Sequence, residues 1–148
     1  MNNKKQDNYI ITIDGVQNSD GYYGENINLS TEGSYELVDD GFLIKYNESE
    51  ATGLPGNITS LFAEGDKRVT MTRVGPQASQ LIIEKGRKHM CHYETGYGNL
   101  TMGVYAEDIV NKLNERGGHL RFKYRLDINS SAVVTNELNV TVKEKKNV

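Results

Sequence analysis

One arginine in this sequence stands where an apolar side chain is expected. In the segment Val69-Thr70-Met71-Thr72-Arg73, positions 69 and 71 are apolar and alternate with threonines, and Arg73 continues the apolar face. A guanidinium carries a planar set of N–H donors that matches a carboxylate or a phosphate. Arg73 is therefore a candidate for holding the charged group of a small ligand.

Other reactive side chains make weaker candidates. Glu48 and Glu50 could form an acid–base pair, but ion pairing or surface exposure is far commoner for such residues. His89, Cys91 and His92 include metal-binding side chains, yet on a strand His92 points away from the other two, whereas zinc needs three or four converging ligands. The same divergence argues against a Cys–His nucleophile, so we predict no catalytic residue, no metal and no cofactor.

Composition restricts the classes of protein to consider. The chain has 148 residues, the size of one domain, with 36% hydrophobic residues, no Trp and a net charge of -3. This charge gives no basic surface for nucleic acid. No apolar run approaches the roughly 20 residues that would span a bilayer, so no membrane is expected as a partner. We predict one domain over 1–148, with flexible tails at 1–7 and 144–148.

The cysteine content and the first residues of the sequence bear on the cellular compartment of the protein. Cys91 is the only cysteine, so no internal disulfide can form. The polar segment Met-Asn-Asn-Lys-Lys-Gln-Asp lacks the apolar run of a secretion signal. We therefore expect a cytoplasmic protein.

Alternation of apolar and polar residues dominates the chain. Leu120, Phe122 and Tyr124 alternate with Arg121 and Lys123, a period of two that is typical of a strand with one buried face. Turn-forming Gly, Asp and Pro residues separate such segments. The predicted strands cover residues 9–14, 27–37, 42–46, 58–64, 69–73, 80–84, 89–95, 100–104, 120–128 and 138–142.

Residues 106–116 are open to two interpretations. Ile109 and Leu113 have the i, i+4 spacing of a helix face, and Gly117 could cap a short helix. The segment could equally continue a strand through a bend into a hairpin. We favour the bent strand and allow at most one short helix here.

Strands joined by short hairpins form an antiparallel up-and-down meander, and closing the sheet into a barrel removes its exposed edges. We predict an all-β barrel of about 8–10 strands. Alternate connections of such a barrel lie at opposite ends, and this places five side chains toward one end. They are Glu48, Arg73, Tyr93, Thr95 and Tyr97.

Two roles for Arg73 follow from this placement. Arg73 could pair with Glu48 or Glu50 and plug one end of a barrel filled by side chains, since an unpaired buried charge costs several kcal/mol. Alternatively Arg73, with Tyr93 and Thr95, could orient the carboxylate or phosphate of a small apolar ligand.

The order of motifs along the chain resembles that of a known family. The motifs are Glu48 and Gly53, residues 69–75 (Val-Thr-Met-Thr-Arg-Val-Gly), 93–98 (Tyr-Glu-Thr-Gly-Tyr-Gly), Gly117-Gly118, 124–126 (Tyr-Arg-Leu) and 136–138 (Asn-Glu-Leu). Together they resemble the YwiB-like family of small bacterial proteins, DUF1934, a domain of unknown function. The resemblance implies a lipocalin-like (calycin) β-barrel and no established activity.

From the residues and the resemblance together we expect a bacterial cytoplasmic barrel that is not an enzyme. Its function would be to bind a small, partly apolar anionic molecule at Glu48, Arg73, Tyr93, Thr95 and Tyr97. The alternative is a protein-interaction or structural module with a filled barrel, for which a homodimer is one form.

Overall fold

The structure is a computed structural model that describes residues 8–19, 22–50, 55–76, 78–95, 98–128 and 132–145. Every regular element in these ranges is a strand. In chain order they are β1 (Tyr9–Ser19), β2 (Tyr22–Val38), β3 (Gly41–Asn47), β4 (Ile58–Glu64), β5 (Arg68–Val74), β6 (Ser79–Glu84), β7 (His89–Thr95), β8 (Gly98–Asn114), β9 (Gly117–Ile128) and β10 (Ala132–Glu144).

The ten strands form one antiparallel sheet in which each strand pairs with its neighbours in sequence, and β1 pairs with β10 to close the barrel. The closing ladder is long, running from Tyr9 opposite Glu144 to Ser19 opposite Val134. The predicted all-β up-and-down barrel is therefore confirmed. Closure leaves neither the first nor the last strand as a free edge.

The ambiguous segment is a strand. β8 continues through Asn114, and its register against β9 shifts between Ala106 and Asp108. The bulge inserts one residue, so Ala106 and Ile109 are both buried although they are an odd number of positions apart. The spacing of Ile109 and Leu113 is even and fits one face of a strand as well as of a helix. The bent strand is confirmed, and no helix forms here.

The β2–β3 turn shows why Asp was a useful signal. Asp39 has φ of +53°, and Gly41 follows at the start of β3. Asp tolerates this left-handed conformation better than most residues. The turn aligns β2 and β3 from Val38 opposite Gly41 to Gly33 opposite Tyr46.

Buried apolar side chains from all ten strands fill the interior as one cluster. Ile44, Leu61, Met71 and Leu81 form one inward row, since each lies opposite the next across β3–β6. Their exposed fractions are 5% or less. The interior is thus a packed apolar core over this part of its height.

Three aromatic rings occupy one end of the barrel, which we call the aromatic end: Tyr9, Tyr35 and Phe42. Tyr35 stacks on Phe42 at 5.4 Å between ring centroids and meets Tyr9 edge-on at 5.3 Å. Its hydroxyl donates to the carbonyl oxygen of Asn114 at 2.7 Å. The ring fills space while its polar atom is satisfied, and this end is closed.

Candidate functional site

A second inward row crosses the barrel one step from the apolar row. Tyr46 lies opposite Thr59, Thr59 opposite Arg73, Arg73 opposite Ser79, and Ser79 opposite Tyr93. Residues directly opposite each other in antiparallel strands point to the same face. Tyr46 is 7% exposed and Thr59 is fully buried, so this face is the interior. On each strand, moving two residues along from the apolar row leads to this polar row.

Glu48 lies just beyond the end of β3 and is held inside by the backbone. Its N–H donates to the carbonyl oxygen of Asn57 at 2.8 Å, which extends the β3–β4 pairing past Asn47. The Glu48 side chain is 2% exposed, and its carboxylate accepts a hydrogen bond from the Thr59 hydroxyl. A carboxylate at this depth is stable only with partners that favour its charge.

Gly75 supports this corner from β5. A β-carbon at Gly75 would lie 2.4 Å from Oδ1 of Asn57, and its φ of +138° is unfavourable for other residues. Asn57 is 1% exposed. Gly75 thus lets the chain after β5 pass close against Asn57, the residue that fixes the backbone of Glu48.

Arg73 approaches Glu48 without a hydrogen bond from its Nε. This atom lies 3.6 Å from Oε2 of Glu48, and the arginine side chain is 23% exposed. The Nε atom itself is buried and has no hydrogen-bond partner in the part of the chain that the structure describes. The contact is an ion pair whose geometry leaves one N–H of the guanidinium unused.

Two tyrosines complete the cluster. Burial raises the pKa of Tyr46, and the negative charge of Glu48 raises it further, while Arg73 partly offsets this. Burial likewise raises the pKa of Tyr124, with Arg73 and a hydrogen bond to Asn136 acting the other way. Both phenols therefore stay neutral at physiological pH and can donate hydrogen bonds.

We call this group the polar end: Tyr46, Glu48, Thr59, Arg73, Tyr124 and Asn136. It combines one carboxylate, one guanidinium, hydroxyls and an amide beside the apolar row of the interior. Such a group can recognise a charged or polar head group by hydrogen bonds; alternatively its members can satisfy one another.

The predicted site residues divide into two groups. The structure brings Glu48 and Arg73 together at one end of the interior. The backbone of Tyr93 joins the polar row opposite Ser79, and Thr95 ends β7, but the side chains of both lie outside the described part. Tyr97 lies wholly outside it. Their predicted roles remain predictions.

Sequence reasoning missed four members of the polar end: Tyr46, Thr59, Tyr124 and Asn136. The alternation of their strands predicts buried positions for Tyr46 and Tyr124 but no role for their hydroxyls. The available signal was a hydroxyl on an otherwise apolar alternating face, as where Thr59 precedes Leu61. Asn136 could be found only through its register opposite Tyr124.

The His and Cys residues of β7 do not converge. Nε2 of His89 lies 2.9 Å from Oε1 of Glu84, Cys91 is buried at 6% exposure, and His92 is exposed. Within the described ranges, no group of three or more His, Cys, Asp or Glu side chains could hold a metal ion. The alternation of β7 explains this divergence.

Comparison with known protein families identifies the family of this chain. The sequence profile of DUF1934, a domain of unknown function, matches residues 11–140. The chain belongs to this family. No curated protein matches it.

A solved structure shares the fold of this chain. The crystal structure of YwiB from Bacillus subtilis superposes with a TM-score of 0.74, covering 93% of this chain and 92% of that one at 18% sequence identity. At this identity the likeness concerns the fold alone. None of the described residues belongs to a helix long and apolar enough to cross a membrane.

Proposed function

We propose that this DUF1934 protein binds a small, partly apolar anionic molecule at the polar end of its barrel, with Arg73 contacting the charged group. The observation that carries the proposal is the buried Nε of Arg73, which has no hydrogen-bond partner among the described residues. A buried donor without an acceptor costs about 1–3 kcal/mol. A ligand oxygen would remove that cost on binding.

Glu48 does not consume the binding capacity of Arg73 in this arrangement. The Thr59 hydroxyl and the Tyr46 hydroxyl both hydrogen-bond with the carboxylate of Glu48. These neutral groups stabilise its charge, while Arg73 stands at 3.6 Å. The guanidinium can therefore turn its donors to a second acceptor without leaving Glu48 bare.

The apolar part of the ligand would meet the row directly next to Arg73. Met71 precedes Arg73 by two positions on the same inward face, and Leu61 lies opposite Met71. A ligand with its charged head at Arg73 would lie at the polar end, with its apolar body against the edge of the packed core at Met71 and Leu61. Tyr46 and Tyr124 offer neutral hydroxyls at the boundary.

The mechanism we propose is non-covalent capture, without catalysis. Capture needs no activated nucleophile, and the alternation of β7 keeps Cys91 and His92 on opposite faces. We place this activity in the cytoplasm, because a chain with the single cysteine Cys91 suits a reducing compartment.

A second candidate is a structural or protein-interaction module, either alone or as a homodimer. The observation that favours it is the continuous core, in which Ile44, Leu61, Met71 and Leu81 are almost completely buried. In that case the Glu48–Arg73 pair serves only to close the end of a filled barrel.

Native mass spectrometry of the protein purified from cells tests the first proposal, followed by denaturing extraction of any bound molecule. The test variant is Arg73→Met, which keeps an unbranched apolar stem but removes the guanidinium. The matched control is Arg116→Met, in the exposed β8–β9 turn at the other end of the barrel.

We expect a co-purifying small anion with the natural protein and with Arg116→Met, and its loss from Arg73→Met while circular dichroism shows an intact fold. A natural protein that carries no small anion would instead support the structural module, whatever the stability of Arg73→Met.

A further inference from the structure

The wall of the barrel is unevenly joined. β5 pairs with β6 along the whole of β6, from Arg68 opposite Glu84 to Arg73 opposite Ser79. β7 pairs with β8 along its whole length, from His89 opposite Val104 to Thr95 opposite Gly98. Between β6 and β7, however, Ser79 opposite Tyr93 is the only paired position, although residues 80–84 and 89–92 are all described.

The strands part because each follows its other neighbour. Past Ser79, β6 stays on β5, and Lys85 forms a bridge with Ala106 on β8, beyond the start of β7. β7 stays on the first half of β8. A long β8 thus contacts both strands, while β6 and β7 lie side by side without ladder pairing past Ser79; we call this stretch of the wall the β6–β7 seam.

Side chains fasten the seam at the end opposite Ser79. His89 donates from Nε2 to Glu84 at 2.9 Å, and Nη1 of Arg68 lies 3.7 Å from the same carboxylate oxygen. The backbone of Glu84 also forms an antiparallel bridge with Arg87, just before the start of β7. The seam is therefore anchored at both ends and unpaired between them.

Apolar side chains close the middle of the seam from inside. Leu81 and Ile83 on β6 are 5% and 0% exposed, and Cys91 on β7 is 6% exposed. The inward neighbours of Leu81 are Met71 and then Leu61, the apolar row next to Arg73. Opening the seam would lead directly to the place where we put the apolar body of the ligand.

We infer that the β6–β7 seam is the lateral opening through which apolar anions reach the interior. Residues 80–83 move away from residues 90–92, while the pairing at Ser79 and the contact of Glu84 with His89 act as hinges. Few ladder bonds are lost in this motion, so it costs less than opening any fully paired joint of the barrel. The role of the opening rests on the proposed function; the opening itself does not.

A disulfide across the seam tests the inference. The exposed residues Gln80 and His92 directly adjoin the paired residues Ser79 and Tyr93, so the test variant is Gln80→Cys with His92→Cys in a Cys91→Ser background. The control is Thr72→Cys with Gln80→Cys in the same background, because Thr72 and Gln80 are paired across β5–β6 and their side chains are 3.3 Å apart.

The probe is 1-anilinonaphthalene-8-sulfonate, a small apolar anion, with its association rate measured by stopped-flow fluorescence. Oxidising the seam variant should slow association several-fold relative to its reduced form, whereas oxidising the control should leave the rate unchanged. Equal rates in both redox states of the seam variant would overturn the inference and place access at the polar end.

Measurements without a ligand separate the seam from the proposed function. In the natural protein, the amides of residues 80–84 and 90–92 that point into the seam, and not to β5 or β8, should exchange hydrogen faster than the amides of β1 and β10. A thiol reagent should modify Cys91 faster than the protein unfolds. If these amides are as protected as those of β1, and Cys91 reacts only on global unfolding, the seam does not open, whether or not the probe binds. Fast hydrogen exchange without probe binding would support the opening of the seam and contradict the proposed ligand binding.

Discussion

The two ends of this barrel accommodate buried polar atoms in opposite ways. At the aromatic end, Tyr35 fills the interior with a ring and gives its hydroxyl a full-strength hydrogen bond to Asn114. At the polar end, Arg73 brings a charge inside and leaves its Nε without a hydrogen-bond partner among the described residues. The hydrogen-bonded hydroxyl of Tyr35 is explained by stability alone. The unbonded Nε of Arg73 lowers stability, so stability does not explain its position.

The difference extends to the charges around each end. Near the aromatic end, Arg68 makes two hydrogen bonds with the carboxylate of Glu64, at 2.7 and 2.8 Å, and its Nη1 lies 3.7 Å from Glu84. The Arg68–Glu64 pair is partly exposed and doubly hydrogen-bonded, whereas the contact of Arg68 with the buried Glu84 is as long as the one at the polar end. At the polar end the pair is inside and loose, with 3.6 Å between Arg73 and Glu48. A site that must exchange partners needs this kind of incomplete pairing, which supports our proposal that a ligand binds at the polar end.

The largest expected effect is loss of the ring that closes the aromatic end. Tyr35 is 2% exposed and touches two other rings, so Tyr35→Ala should lower the free energy of unfolding by about 3–5 kcal/mol, as for other buried aromatic residues. Urea denaturation measures this change.

Tyr105→Ala is the matched control, because Tyr105 is half-buried and its ring contacts Arg125 at 5.8 Å. That contact is worth about 0.5–1 kcal/mol. Equal costs for the two variants would mean that the aromatic end does not stabilise the barrel as we describe.

A smaller effect is expected from the Glu48–Arg73 pair at the polar end. Arg73→Met leaves a buried carboxylate without its cation and should cost about 1–3 kcal/mol. Adding Glu48→Gln removes that charge, and the new amide oxygen can still accept from Thr59. The double variant should therefore be more stable than the sum of the single changes predicts, with a coupling of about 0.5–3 kcal/mol from urea denaturation of all four proteins.

Additive costs in this cycle would show that the two charges do not interact, and the polar end would then be two independent residues. A double variant that is as stable as the natural protein but no longer binds an anion would identify the pair as functional. The same variants thus serve both the energetic and the functional comparison.

Most of the fold could be predicted from local alternation, since a period of two and turn residues such as Asp39-Asp40-Gly41 specify hairpins directly. Placement of Glu48 and Arg73 at one end followed from the up-and-down order of those hairpins. The bulge at Glu107 could not be placed, because one inserted residue leaves no signature in composition.

The fine structure of the site depended on register across distant strands. Thr59 and Arg73 are inward neighbours because β4 and β5 align from Ile58 opposite Val74. Tyr124 reaches the same cluster from β9, a contact that only closure of the barrel creates. The missing ladder between β6 and β7 is a feature of pairing between strands, and alternation within a strand carries no information about it.

The smallest expected effect is a dependence of stability on acid pH that belongs to the neighbourhood of the aromatic end. A hydrogen bond from His89 lowers the pKa of Glu84, and a hydrogen bond from Arg68 lowers that of Glu64, in each case from an ordinary value of 4.5. A carboxylate whose pKa is lower in the folded state stabilises the fold above pH 4.5 and loses this contribution as the pH falls through the folded value.

The free energy of unfolding should therefore decrease from pH 5 to pH 3. Glu84→Gln should make that decrease shallower, whereas Glu115→Gln in the exposed β8–β9 turn should not. Urea denaturation at a series of pH values measures all three proteins. Parallel curves for the natural protein and Glu84→Gln would mean that the contact between Glu84 and His89 does not fasten the seam.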